Sequence, residues 1–242
     1  MRIALIGYGK MGKAIESLSA PVHHEISLKV GRSGFTAKDL QQTDVAIEFS
    51  TPDAAVNNIY TCFEAGIPVV VGTTAWYHQY DEVVAACKKA NGKMLTATNF
   101  SIGVNLFWKA AEYLAGLMNE RTDYDVSVHE VHHLQKLDAP SGTAITTANK
   151  LIEQLNRKNR WVHHEIGNSP SDDPFHLNIS SAREEGVPGT HIIEFANDID
   201  SIELKHTAKN RKGFATGALK AAEWLYQQSE PGVYTMDDVL NL

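Results

Sequence analysis

The sequence predicts an α/β protein with two parts: a Rossmann-like domain with a parallel sheet, and an α+β domain with a mixed sheet. Over the first hundred residues, short apolar strands alternate with helical segments, a pattern typical of a parallel sheet covered by helices on both faces. A glycine-rich turn directly after the first strand agrees with this fold. Farther along, strand patterns follow one another without helices between them, which indicates an antiparallel or mixed sheet.

Strands and helices alternate in the predicted first part. The strands occupy residues 2–6, 25–30, 45–49, 69–71 and 94–97, and the helices occupy residues 11–19, 53–65 and 80–90. The first strand is an apolar run that ends at a glycine, the second alternates apolar and polar residues, and the fourth consists of valines. Asp53 follows the third strand and is predicted to cap the next helix.

The second part is predicted to open with a long amphipathic helix, residues 103–120, whose apolar side chains recur at helical spacing. Further strands are predicted at residues 126–133, 176–182, 191–195 and 201–206, with a helix at residues 142–156. A last helix, residues 214–228, precedes a short tail. The polar stretch of residues 157–173 is predicted to be an exposed loop.

Composition narrows the class of protein. The 242 residues carry 22 Lys+Arg against 29 Asp+Glu, a net charge of −7, whereas nucleic-acid-binding domains usually have a basic excess. No stretch resembles a membrane span or a signal peptide, so the sequence predicts a cytoplasmic protein without a nucleic-acid or membrane partner. Cys62 and Cys87 lack metal-type spacing and are predicted to be reduced thiols. No metal site is predicted.

The glycine-rich turn, GYGKMG at residues 7–12, has the G-x-G-x-x-G spacing of dinucleotide-binding domains. It follows the first strand and opens a helix, which is the context that gives the motif its meaning. Glycines let the backbone approach a pyrophosphate, and the helix start offers free N–H groups and a partial positive charge. A tight turn without a ligand is the alternative, but the context favours a dinucleotide site formed by Gly7, Tyr8, Gly9, Lys10, Met11 and Gly12.

The end of the second strand bears on the choice of cofactor. NAD-binding domains usually carry an acid here that binds the 2′-hydroxyl of the adenosine ribose, but this chain reads VGRS at residues 30–33. Arg32 and Ser33 suit a 2′-phosphate instead, because a guanidinium matches phosphate geometry. The sequence therefore predicts NADPH as the preferred cofactor, with NADH as a second candidate. In the alternative interpretation, Arg32 is an ordinary solvated loop arginine.

Residues 129–133, HEVHH, formally match the H-E-x-x-H pattern of zinc proteases. That chemistry needs a helix, which brings the two outer histidines onto one face. The preceding residues alternate like a strand, in which positions four apart are separated by about 13 Å. Two ligands so far apart cannot share one zinc ion, so the zinc interpretation is rejected.

The segment that follows is more informative about chemistry. It places the neighbouring pair His132 and His133 three residues before Lys136, and then PSGT, residues 140–143, at the start of a helix. Lysine and a helix start both favour carboxylates, and histidine donates protons near neutral pH. These residues predict a dicarboxylate substrate beside a proton donor. Surface histidines and an ordinary helix cap are the alternative.

Residues 130–144, EVHHLQKLDAPSGTA, carry a resemblance to one family. They match the string E-x-H-H-x-x-K-x-D-x-P-S-G-T-A, and the chain resembles the 4-hydroxy-tetrahydrodipicolinate reductase family, also called dihydrodipicolinate reductase. Supporting matches are the glycine turn, residues 72–74, residues 99–105 and residues 183–191. The matches run in order from Arg2 to Leu225, so the resemblance covers almost the whole chain.

The resemblance implies a reaction and the roles of individual residues. The reaction is the NAD(P)H-dependent reduction of 4-hydroxy-tetrahydrodipicolinate to tetrahydrodipicolinate in the diaminopimelate route of lysine biosynthesis. His132 matches the general acid and Lys136 a second catalytic residue. The substrate-binding positions match His133, Ser141, Gly142 and Thr143. The cofactor-binding positions outside the glycine turn match Phe49, Ser50, Gly72, Thr73, Thr74, Ala97, Thr98, Asn99 and Phe100.

The family's fold also implies a discontinuous dinucleotide-binding domain, residues 1–101 and 212–242, and a substrate-binding and tetramerisation domain, residues 102–211. A homotetramer is therefore expected. For Arg183 and His191, the sequence leaves a structural role and a substrate role equally open. Two other functions remain as alternatives: a Rossmann-type reductase of another substrate, which leaves the histidine and lysine segment unexplained, and a non-catalytic dinucleotide sensor, although no catalytic residue is missing.

Overall fold

The computed structural model describes residues 1–210 and 212–242. The chain divides into two compact units, one made of Met1–Ile102 with Lys212–Leu242 and the other of Gly103–Arg211. The sequence predicted a second domain formed by the middle segment of the chain, residues 102–211. Its second boundary falls at Arg211, which lies outside the described residues.

The strands are β1 (Arg2–Ile6), β2 (Glu25–Val30), β3 (Val45–Glu48), β4 (Val69–Val71), β5 (Lys93–Thr96), β6 (Asp125–His132), β7 (Arg160–Glu165), β8 (His176–Arg183), β9 (Gly189–Ala196), β10 (Ser201–Ala208) and β11 (Gly232–Tyr234). The α-helices are α1 (Lys10–Ser19), α2 (Pro52–Glu64), α3 (Tyr80–Lys89), α4 (Ile102–Met118), α5 (Gly142–Gln154), α6 (Lys212–Gln227) and α7 (Met236–Leu240). None of these helices has the length and apolar character needed to cross a membrane.

The first unit is built on a six-stranded parallel sheet with the strand order β11-β5-β4-β3-β1-β2. Alternate residues of β1 face opposite sides of this sheet. Ile3 and Leu5 lie in a core with α1 and α6, whereas Ala4 and Ile6 lie in a core with α2 and α3. Burial on both faces explains why strands such as β1 and β4 are short apolar runs. The predicted parallel sheet with helices on both faces is confirmed.

The second unit is built on a five-stranded sheet with the strand order β10-β9-β6-β8-β7. β6 runs parallel to β8 and antiparallel to β9, and β7 runs parallel to β8. One face of the sheet forms a core with α4 and α5, to which Val128, Leu151 and Phe195 belong. The predicted mixed sheet is confirmed.

Three features differ from the sequence-based predictions. The expected loop at residues 157–173 contains β7, an edge strand that pairs with β8 alone. Edge strands have exposed positions and carry polar residues. Because β7 is polar, its sequence resembles a loop. Asp53 does not cap α2, because Thr51 is the N-cap and Pro52 opens the first turn, as proline with its fixed φ often does. The expected tail also forms β11 and α7.

Candidate functional site

The turn between β1 and α1 has a backbone that requires glycine at its first position. Gly7 has a φ of +95°, and a Cβ atom there would lie 2.0 Å from the carbonyl oxygen of Phe49. The N–H groups of Gly7 and Tyr8 donate to the carbonyl oxygen of Val30 at 3.1 and 3.0 Å. The turn is therefore held against the carboxyl ends of both β2 and β3.

The other two glycines of the turn have different surroundings. A Cβ atom at Gly12 would lie 2.6 Å from the carbonyl oxygen of Gly7, so α1 packs directly on the turn. Gly9 is the N-cap of α1 and is exposed, and a Cβ atom there would meet no atom within 4 Å. Gly12 thus permits close packing, whereas the open space at Gly9 lies at a helix N-terminus, where a pyrophosphate fits.

The other residues predicted to bind the cofactor follow the ends of neighbouring strands. Because β3, β4 and β5 are parallel neighbours, the residues after them meet at one edge of the sheet. The rings of Phe49 and Phe100 are 5.7 Å apart, and a Cβ atom at Gly72 would lie 2.2 Å from the Phe49 ring. The N–H of Ser50 donates to Thr73 Oγ1 at 2.8 Å. Residues distant in sequence therefore form one edge.

The predicted cofactor residues differ in exposure. The exposed ones are Gly9, Lys10, Arg32, Ser33, Thr74 and Thr98. The half-buried ones are Gly7, Tyr8, Met11, Phe49, Ser50, Gly72 and Ala97. The buried ones are Gly12, Thr73, Asn99 and Phe100. We expect the buried group to shape the edge of the sheet and the exposed group to meet a ligand.

Glu48 was not singled out in the sequence analysis, yet it is completely buried at the end of β3. Its Oε1 atom accepts hydrogen bonds from the N–H of Ser50 at 3.1 Å and from Asn58 Nδ2 at 3.2 Å, and it also bonds the Ser50 hydroxyl. The hydroxyl of Ser50 is therefore engaged within the protein, where it shapes the turn after β3. The sequence signal that could have identified Glu48 is an acidic residue at the end of an otherwise apolar strand.

In the second unit, the alternation of β6 carries two polar groups onto the core-facing side of the sheet. Val126 and Val128 are buried in the core, and Glu130 and His132 continue the same alternation to the end of the strand. His129 points to the opposite face, where its Nδ1 lies 2.8 Å from Ser180 Oγ. The strand conformation excludes the helical geometry that a H-E-x-x-H zinc site requires.

Glu130 is completely buried and receives hydrogen bonds from two directions. The N–H of Ser141, the N-cap of α5, donates to its two oxygens at 3.0 and 3.2 Å, and Ser181 Oγ donates to Oε1 at 2.8 Å. Burial by itself raises the pKa of Glu130, but interactions with His191, Ser141 and Ser181 outweigh burial and lower the pKa to about 2. Glu130 is therefore a buried carboxylate at neutral pH.

His132, the predicted general acid, lies beside this carboxylate. Its Nδ1 is 3.4 Å from Glu130 Oε2, and its ring centroid is 5.1 Å from that of His191. Burial lowers the pKa of His132 to about 4; the carboxylate of Glu130 opposes burial, while His191, Lys136 and Arg183 reinforce it. His132 is therefore neutral in the free protein at neutral pH, and further negative charge is needed before its ring takes up a proton.

Arg183 forms hydrogen bonds with the segment between β6 and α5. Its Nε donates to the carbonyl oxygen of Lys136 at 3.3 Å, and its terminal nitrogen donates to the carbonyl oxygen of Asp138 at 2.7 Å. Lys136, the second predicted catalytic residue, pairs with Asp138 through Nζ at 2.7 Å. Of the two roles that the sequence left open for Arg183, these contacts favour the structural one.

The predicted substrate-binding residues lie at and before the start of α5. Three of them are at least partly exposed, namely His133, Gly142 and Thr143. Ser141 is buried, and its Oγ accepts a hydrogen bond from the N–H of Ala144 at 3.2 Å and lies 3.2 Å from His191 Nε2. Ser141 thus caps the helix, and Gly142, the first residue of α5, is exposed.

Glu130, His132 and His191 also form the one group among the described residues whose ligand-type atoms lie within 4.8 Å of one another, as a metal site needs. Hydrogen bonds from Ser141 and Ser181 already engage both oxygens of Glu130. We therefore interpret the group as a hydrogen-bonded network. That the protein needs no metal stays a prediction.

Two family models match the chain. The model described as dihydrodipicolinate reductase, N-terminus, matches residues 1–100, and the model described as dihydrodipicolinate reductase, C-terminus, matches residues 103–240. A 4-hydroxy-tetrahydrodipicolinate reductase from Christiangramia forsetii is 46% identical over 243 residues, which cover 100% of this chain and 98% of that protein. A protein of the same name from Methanoculleus marisnigri is 37% identical over 202 residues, or 84% of this chain and 77% of that protein.

A solved structure supports the fold. The dipicolinate-bound dihydrodipicolinate reductase from Paenisporosarcina sp. TG-14 matches with a TM-score of 0.79 at 22% identity, over 97% of each chain. At this identity the likeness concerns the fold alone, and it agrees with the predicted pairing of a Rossmann-like unit with a mixed-sheet unit.

Proposed function

The chain belongs to the dihydrodipicolinate reductase family, and from that premise we propose that it reduces 4-hydroxy-tetrahydrodipicolinate to tetrahydrodipicolinate in the diaminopimelate route of lysine biosynthesis. It is a nicotinamide-dependent oxidoreductase that acts on a small molecule. The observation that carries the proposal is the contact of Glu130 with both His132 and the start of α5. A proton donor thereby lies next to a helix start that favours a carboxylate.

We assign substrate binding to the exposed start of α5 and to the segment before it. Gly142 and Thr143 lie in the first turn of α5, where the helix dipole favours an anion. Lys136 is paired with Asp138 in the free protein, and it exchanges this partner for a substrate carboxylate. His133 completes the set. Lys136 and the start of α5 then each bind one of the two carboxylates on the substrate ring.

We assign the proton transfer to His132. A bound nicotinamide would supply the hydride to C4 of the ring that has lost water. His132 Nε2 would then donate the proton that C3 of the ring takes up with the displaced electron pair. Because burial lowers the pKa of His132 to about 4, the substrate carboxylates must favour its protonation. Proton uptake is therefore expected to accompany substrate binding. General acid catalysis of this kind contributes about 10²–10⁴-fold.

Gly189 leaves open the space beside the nitrogen that would donate this proton. A Cβ atom at Gly189 would lie 3.1 Å from His132 Nε2, and its backbone is not in the left-handed region. Gly189→Ala is expected to lower kcat about tenfold or more, because small displacements of a catalytic group are costly, with little change in melting temperature. Steady-state kinetics would test this beside Gly116→Ala, whose added methyl group meets open space. If kcat were unchanged in Gly189→Ala, the substrate would not bind beside His132 Nε2.

We propose NADPH as the preferred cofactor. The open turn at Gly9 fits a pyrophosphate, and the exposed pair Arg32 and Ser33 follows β2 at the position where an acid would favour NADH. Arg32→Ala is expected to raise the KM for NADPH about tenfold and to leave the KM for NADH nearly unchanged, since only NADPH offers a phosphate to the guanidinium. Arg121→Ala, an exposed arginine of the other unit, controls for loss of charge. Equal effects on both cofactors would contradict the proposal.

We further propose a cytoplasmic homotetramer. The proposal rests on the chain's membership of the family. Light scattering in solution tests it directly, since one chain has a mass of 26.7 kDa and a tetramer has four times that mass. A monomer or dimer at assay concentration would overturn the proposal.

The reaction itself is tested by a coupled assay. Purified protein receives aspartate semialdehyde, pyruvate and the condensing synthase, and the absorbance of NADPH and NADH is followed in parallel. Oxidation that depends on every component is expected. If a folded protein that binds these cofactors oxidised neither of them, the proposed reaction would be wrong and another substrate would have to be sought.

A further inference from the structure

We infer that Glu130 is a positioning residue, which holds His132 in the tautomer that leaves Nε2 free to carry the donated proton and links His132 to Ser141, the N-cap of α5. This inference rests on the proposed function, because it concerns the general acid of that reaction.

The contacts of one carboxylate oxygen carry the inference. Glu130 Oε2 lies 3.2 Å from the N–H nitrogen of Ser141 and 3.4 Å from His132 Nδ1. His132 Nδ1 is buried and has no hydrogen-bond partner within the described part of the chain. A hydrogen on Nδ1 is therefore attracted to the adjacent carboxylate, whereas a lone pair there would face negative charge. The neutral ring then carries its hydrogen on Nδ1, and Nε2 gains and loses the second proton.

The carboxylate itself is held in place from the sheet. Ser181 Oγ on β8 donates to Glu130 Oε1 at 2.8 Å, and His163 Nε2 on β7 lies 3.0 Å from the same hydroxyl. His191 Nε2 on β9 lies 3.6 Å from Oε2. Glu130 therefore contacts Ser181 on β8, His191 on β9 and Ser141, the N-cap of α5. These contacts hold its carboxylate in position. It transmits that position to both His132 and Ser141.

A purely structural role for Glu130 predicts a different outcome. A buried carboxylate that only joins α5 to the sheet would contribute to stability, and its removal would lower the melting temperature without changing the tautomer of His132 or kcat. The tautomer of His132 and the pH dependence of kcat separate the two roles, because neither follows from stability alone.

The first measurement is the tautomer of His132 in the wild type, by NMR of protein labelled with ¹⁵N in histidine at neutral pH. A neutral ring protonated on Nδ1 is expected, and a ring protonated on Nε2 would overturn the inference. This result needs no variant, so it decides the matter even if a substitution prevents folding. It also stands apart from the proposed function, which fails only if the wild type is inactive in the coupled assay.

The second measurement compares Glu130→Gln with the wild type. Glutamine has the same shape, but it lacks the negative charge and can donate an N–H to His132 Nδ1. We expect kcat to fall about 100-fold, the neutral tautomer to change to Nε2–H, and the alkaline limb of the kcat profile to move to lower pH. The other charged groups that face His132, namely His191, Lys136 and Arg183, are unchanged. A wild-type pH profile with a wild-type tautomer would overturn the inference.

Two serine variants supply a matched pair. Ser181→Ala removes one donor to Glu130, whereas Ser180→Ala, its neighbour on β8, removes a contact with His129 on the other face. Ser181→Ala is expected to lower kcat severalfold, with a pH profile between those of the wild type and Glu130→Gln. Ser180→Ala is expected to match the wild type. Equal effects of the two variants would count against the inference.

Discussion

Replacement of His132 by glutamine is expected to lower kcat by about 10²–10⁴-fold, the usual contribution of a general acid. The KM values for substrate and cofactor are expected to change little, because Lys136, Gly142 and Thr143, which we propose bind the carboxylates, are unchanged. Glutamine keeps the size and polarity of the side chain but cannot release a proton to carbon at neutral pH. Steady-state kinetics in the coupled assay, with substrate and cofactor varied separately, would measure both parameters.

The pH dependence adds a second readout for the same variant. In the wild type, kcat is expected to fall as the pH rises through the pKa of His132 in the substrate complex, because the acid then loses its proton. This limb should disappear in His132→Gln. His129→Gln is the control, since this histidine lies on the same strand but on the opposite face, beside Ser180. A kcat for His132→Gln equal to that of the wild type would exclude His132 as the acid.

The second large effect is expected at the glycine turn. Gly9→Ala should weaken the binding of NADPH about tenfold or more, because its methyl group would occupy the space that we propose for the pyrophosphate. The melting temperature of the free protein should stay the same, since the added atom meets nothing within 4 Å. Equilibrium binding by fluorescence of the reduced nicotinamide and a thermal melt would measure the two quantities.

Gly12→Ala gives the contrasting case within the same turn. Its added Cβ would lie 2.6 Å from the carbonyl oxygen of Gly7, so the protein itself must move. Overpacking of this kind costs about 1–3 kcal/mol, and a lower melting temperature is expected without any ligand. If Gly9→Ala bound NADPH as tightly as the wild type, the pyrophosphate would not lie on this turn.

Much of the fold could be predicted from local patterns. Buried strands such as β1 and β4 are short apolar runs, and buried and less buried residues alternate along β6. The burial of these strands can therefore be predicted from consecutive residues. β7 was missed because an edge strand has one partner and tolerates polar side chains. β11 was missed because its three residues, Gly232–Tyr234, are too few to show a period.

The sequence by itself determined the chemical groups and their spacing: a G-x-G-x-x-G turn after a strand, and His132 four residues before Lys136 and nine before the cap of α5. Only the tertiary structure decided how these groups act on one another. The low pKa of His132 arises from burial, and the link to Ser141 passes through Glu130, whose other partners Ser181 and His191 come from β8 and β9. Burial and contacts between distant strands are properties of packing, because they depend on which segments the sheet places side by side.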